Sequence, residues 1–140
     1  MCLKGALILG VVVALFGAGC GGGGKLGVDA LSQESKSLQS VAAEGALLAQ
    51  DDADGKTTRV YARVHSSDLH QATSRAEALL KTAKTESVFA PKLRRLAVLA
   101  AQVRGDLEHL GSASKEEARA IGRDLQAAAI ESQGIGMGLR

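Results

Sequence analysis

The chain has 140 residues, with 17 Lys and Arg against 15 Asp and Glu, so no basic excess points to nucleic acid and no acidic excess to a solvating role. Aromatic residues make up 2% of it and tryptophan is absent, which argues against base-stacking platforms, sugar-stacking surfaces and aromatic grooves for proline-rich peptides. Alanine and leucine dominate, and Val, Ile and aromatics never gather into an alternating run, so the reading is a single all-helical domain behind an N-terminal segment of different composition.

That segment comes first. Lys4 is the only charge before Lys25, and an apolar run from Ala6 to Phe16, broken only by Gly10, follows it. A short positive region, an apolar stretch and small residues before a cleavage point describe an export signal over residues 1–19. The run from Gly5 to Gly19 falls short of the ~20 residues a helix needs to cross the hydrocarbon core. The small residues end on a cysteine. Phe16-Gly17-Ala18-Gly19-Cys20 resembles the lipobox that closes the signal of bacterial lipoproteins. Ala18 and Gly19 fill its small positions, while Gly17 stands where the class usually carries Leu.

The resemblance covers about the first 25 residues. It implies that Cys20 receives a diacylglyceryl group and becomes the new N-terminus, and two acyl chains are what stable anchoring takes. In a host with two membranes, Gly21 in place of Asp after the cysteine implies the outer membrane. Residues 20–27 then form a lipidated cysteine and a glycine-rich tether that lets the domain stand clear of the bilayer. An ordinary cleaved signal with an incidental cysteine, or an uncleaved N-terminal anchor helix, is the alternative. Cys2 leaves with the signal and Cys20 is lipidated, so no disulfide is expected and packing alone must hold the domain.

A first helix is expected from about Val28 to Gln50, with Leu31, Leu38, Val41, Ala42, Gly45 and Leu48 along one stripe. Gly45 costs about 1 kcal/mol of helix propensity against Ala, which close approach of a neighbouring helix would explain. Asp51 to Lys56 forms a polar loop with an Asp-Gly turn. Laid on an EF-hand, this loop puts Gln50 at the first ligand position and Tyr61 at the twelfth, so the bidentate Glu is missing and a plain acidic turn is the better reading. The second helix, about Thr58 to Glu86, carries a seam of Tyr61, His65, Leu69, Ala72, Ala76, Leu79 and Ala83. Ser87 is the expected N-cap of a third helix, about Val88 to Leu110, with Pro91 in its first turn and Gly111 as its C-cap. Ser114-Lys115-Glu116-Glu117 reads as a capping box opening a fourth helix to about Ser132. The glycine-punctuated residues 134–140 read as a frayed tail.

Short connections make neighbouring helices antiparallel, so residues 28–133 are predicted to form an up-down four-helix bundle; three helices with a loosely docked fourth is the alternative. The many Ala positions give a modest core unless the helices approach closely.

No motif in this chain supplies a catalytic constellation: it contains no HExxH and no CxxC, and the glycines at 21–24 lack the Lys-Ser/Thr of a phosphate loop. One local arrangement remains. Pairing Leu48 with Tyr61 across the first hairpin sets Glu44 near His65, and Asp68 lies three residues on, sharing a face with His65. The plainer reading is a half-buried His65 bonded to a carboxylate or to the Tyr61 hydroxyl, fixing the hairpin register. The sharper reading is a metal or small ligand held by Glu44, His65 and Asp68, although the Glu-x-x-His pairs of di-iron bundles are missing. The expectation is therefore a non-enzymatic envelope lipoprotein with no cofactor, bound to the membrane through Cys20, with an envelope protein or a second copy as partner and no nucleic acid.

Overall fold

The helical periodicity resolves into four α-helices in a computed structural model that describes residues 24–139: α1 (Val28–Ala53), α2 (Arg59–Thr82), α3 (Ala90–Leu110) and α4 (Lys115–Met137). The connecting segments 54–58, 83–89 and 111–114 are too short for a crossover, so successive helices run antiparallel. The most extensive packing joins α1 to α4 and α2 to α3; α1–α2 and α3–α4 meet more lightly, and α1 reaches α3 across the middle. This is the expected up-down bundle. The alternative with a loose fourth helix is set aside, because α4 shares the largest interface.

Leu31, Leu38, Leu96, Leu99, Val103, Leu107, Leu110 and Leu125 form the centre of the core. Between α1 and α4 the residues are smaller. A Cβ on Gly122 would stand 3.4 Å from the Ala49 Cβ and 3.5 Å from the Ala46 carbonyl oxygen, so the two backbones lie close. Gly45 has a related reason: a Cβ there would meet the Leu107 Cδ2 at 2.8 Å and the Leu125 Cδ1 at 3.1 Å. Leucines of two neighbouring helices fill the space that Gly45 leaves. Contact at short range offsets the small area each Ala or Gly buries.

The helix starts follow their local chemistry. Thr58 caps α2 by accepting from the Tyr61 N–H at 3.2 Å. The Ser114 capping box forms in both directions, with Glu117 N–H donating to Ser114 Oγ at 3.3 Å and Ser114 N–H to Glu117 Oε2 at 2.7 Å. Gly55 takes a φ of 70° in the Asp-Gly turn, a conformation that suits glycine.

Four expectations need correction. The buried seam of α2 is Ala62, Ser66, Leu69, Thr73, Glu77 and Leu80, rotated from the expected one, and it leaves Tyr61 56% and Leu79 42% exposed. Counting apolar residues alone misses polar ones already satisfied at home: Ser66 Oγ donates to Arg63 O at 3.1 Å and Thr73 Oγ1 to Leu69 O at 2.8 Å. Glu77 is paired with Lys81 and accepts from Arg104 Nε at 2.7 Å.

Second, α2 ends at Thr82 instead of Glu86, and α3 is capped by Phe89 instead of Ser87. The backbone past Thr82 bonds elsewhere: Leu26 N–H donates to Lys84 O at 2.6 Å, and Thr85 Oγ1 donates to Leu26 O at 2.9 Å. Third, these bonds mean that residues 24–26 lie docked against the body instead of belonging to a free tether. Fourth, α4 continues past Ser132 to Met137, so 134–137 are helical. Gly136 allows this, since a Cβ there would come within 2.8 Å of Ser35 Oγ. Ser35 Oγ itself donates to Ser132 O at 2.5 Å, and Leu139 is 6% exposed.

The docked C-terminus yields a paired test by urea denaturation. Leu139→Ala is expected to cost about 2 kcal/mol. Met137→Ala, at a site 61% exposed, should stay within about 0.5 kcal/mol. Equal small effects at both positions would mean a tail that does not dock.

Candidate functional site at the first hairpin

The hairpin of α1 and α2 is set by its acidic turn. Each carboxylate of the turn meets a cation of this chain: Lys56 pairs with Asp54 at 3.1 Å and with Asp51 at 4.0 Å, and the buried Asp52 pairs with Arg59 at 3.3 Å. Arg59 also donates to the Ala113 carbonyl, and Arg119 reaches Asp54 at 3.9 Å, tying the turn to the α3–α4 connection and to α4 itself. The turn is thus an ion-paired structural corner.

With that register, Glu44 and His65 come together. His65 Nε2 lies 2.8 Å from Glu44 Oε1, and the Tyr61 ring stacks on the imidazole with centroids 5.4 Å apart. Both side chains of the pair are open to solvent, His65 at 30% and Glu44 at 50%. An exposed pair of this kind contributes roughly 0.2–1 kcal/mol. Asp68, although on the same face of α2, is exposed and takes no part in the hydrogen bond between the two. Among the described residues no group of three or more His, Cys, Asp or Glu side chains is arranged to hold a metal ion. The contact that sequence spacing predicted is present. Its third member stays apart.

Two features escape the sequence. The first is a groove of about 460 Å³ beside α1 and α4, floored by Ala46 and Gly122 and walled by Gln50, Arg119, Arg123 and Gln126. Its floor exists because the two helices approach so closely. The second is Asp106 on α3, whose Oδ2 is buried without a hydrogen-bond partner. Burial first, and then the charge of Asp124 across on α4, push its carboxyl up from 3.8 to about 6, with His109 pulling the other way. The signal available in the sequence was its place between the core positions Val103 and Leu107.

Other carboxylates shift oppositely. The Lys81 hydrogen bond, opposed by burial and aided by Arg104, holds Glu77 below the usual carboxylate range. Arg95 does the same for Glu131, donating from Nη2 to Oε2 at 2.8 Å.

Comparison with protein-family models, curated proteins and solved structures returns no match. Cys20 and the signal-like residues before it lie outside the described residues.

The raised Asp106 makes a signed pH prediction. Its folded-state value lies above its unfolded one, so its contribution to stability is full below pH 3.8 and is lost as pH rises through about 6. Asp106→Asn should therefore raise the melting temperature at pH 7 and converge on wild type near pH 4; thermal scans across that range check it. By contrast, His65→Ala at pH 7 should cost under about 1 kcal/mol.

Proposed function

We propose that this chain is a bacterial lipoprotein, exported and held on a membrane by a diacylglyceryl group on Cys20, whose helical bundle is a non-enzymatic structural or binding module of the cell envelope. The observation that carries the reading is Phe16-Gly17-Ala18-Gly19-Cys20 behind a short apolar run with a single preceding charge. It is supported by the position of the bundle, whose first helix starts at Val28, only a few residues later. No described helix is long and apolar enough to cross a membrane. Gly21 favours the outer membrane where the host has two. A binding role is favoured by Val60, Tyr61 and Val64, which lie exposed together on the first turns of α2 and offer an apolar surface to an envelope protein or a second copy.

A second reading rests on the Glu44–His65 contact, which would contribute two ligands to a metal or small molecule. Elemental analysis of natively purified protein beside His65→Ala decides it: stoichiometric metal lost in the variant would establish that reading.

The anchoring reading is tested by Cys20→Ala. The wild type should partition with membranes and carry the added mass of its lipid, while the variant should lose both. Unchanged mass and partitioning would overturn it.

A further inference from the structure

The N-terminal segment enters the bundle at one end only. That end gathers the start of α1, the α2–α3 connection and the end of α4, as the bonds from Leu26 N–H to Lys84 O and from Lys92 Nζ to Gly138 O show. The opposite end holds the 54–58 and 111–114 connections. Gly24 is fixed there too, because its carbonyl accepts from Lys84 N–H at 3.5 Å and Lys25 bridges Lys84. The Leu26 side chain packs against the core beside it.

We infer that this end of the bundle is a membrane-facing surface, seated on the anionic headgroups of the bilayer that holds Cys20. The inference rests on the anchoring reading above and adds geometry to it. Only Gly21, Gly22 and Gly23 lie between Cys20 and the docked Gly24. Four Cα steps at 3.3–3.6 Å reach ~14 Å at full extension. The lipid-bearing cysteine sits at the headgroup level, so Gly24 is held within that distance of it, and the α2–α3 connection is one backbone hydrogen bond further on. A tether of eight residues would have let the body stand clear; the docking of 24–26 removes that freedom.

The surface chemistry of the end suits this position. Val88 is 68% exposed in the α2–α3 connection and Met137 is 61% exposed at the end of α4, two apolar side chains without cover where the chain meets the bilayer. Lys25 and Lys84 are exposed beside them and Lys92 is half-buried, against Asp29 and Glu86. Lysines near an anionic leaflet are attracted, and apolar side chains enter the interfacial layer. The far end, a further ~36 Å away along a helix the length of α2, is left free for a partner.

The test uses the natively lipidated full chain reconstituted in vesicles of phosphatidylethanolamine and phosphatidylglycerol. With Cys20 blocked by lipid, Val88→Cys and Ser112→Cys each introduce one reactive thiol, at the near and far ends, for a fluorophore read by a lipid-borne quencher. Quenching at 88 is expected to exceed that at 112 several-fold, and to fall when Lys25→Glu and Lys84→Glu are added. Equal quenching at the two ends in protein whose mass shows the lipid overturns the membrane-facing surface and leaves the anchor standing. Quenching at 88 indifferent to the charge reversals overturns the role of the lysines. A mass without lipid on Cys20 overturns the anchor and this surface with it.

Discussion

The constraint on which this bundle depends is the short distance between α1 and α4. A chain poor in aromatics and rich in alanine buries little area per residue, so it must gain contact by bringing backbones together. Gly122 against Ala46 and Ala49 achieves this in one half of the interface, and Gly136 against Ser35 in the other. Everything lateral follows from that approach. It brings Leu107 of α3 and Leu125 of α4 over the gap at Gly45, it floors the groove walled by Arg119 and Arg123, and it lets Ser35 reach the Ser132 carbonyl. Side chains larger than glycine at these sites would have to push apart the helices that share the largest interface.

Much of this was legible in the residue pattern because helix-forming composition, capping boxes and turn glycines are local signals. Ser114 with Glu117, Gly55 after Asp54 and the α3 leucines announce themselves within a few residues. The seam of α2 was misread for a physical reason: burial there selects side chains whose polar atoms are already satisfied, and Thr73, Ser66 and the doubly paired Glu77 qualify as well as any leucine. The C-terminal residues were misread because glycines suggest fraying in isolation, whereas Gly136 is helical through its contact with Ser35, far away in sequence. The Glu44–His65 contact was legible from hairpin register alone. Asp106 was not, since its carboxyl is shifted by burial and by Asp124, which only tertiary structure brings near.

For function, the two halves of the chain speak differently. The first 25 residues carry a motif-level resemblance that points to a location. The bundle carries ion-paired corners and a stacked Tyr61–His65–Glu44 group that joins α1 to α2 near their hairpin. The ion pairs from Asp52 and Asp54 to Arg59 and Arg119 brace the end remote from Gly24.

The pairing of first helix with last also orders the events of folding. Ser35 and Ser132 meet although they lie 97 positions apart, so α1 finds its principal partner only when almost the whole chain is available. The α2–α3 hairpin has no such delay, and loop closure favours it as the earlier unit. A chain made from its N-terminus would thus hold α1 waiting, its alanine face uncovered, until α4 follows. That interval is when a chaperone would have most to hold.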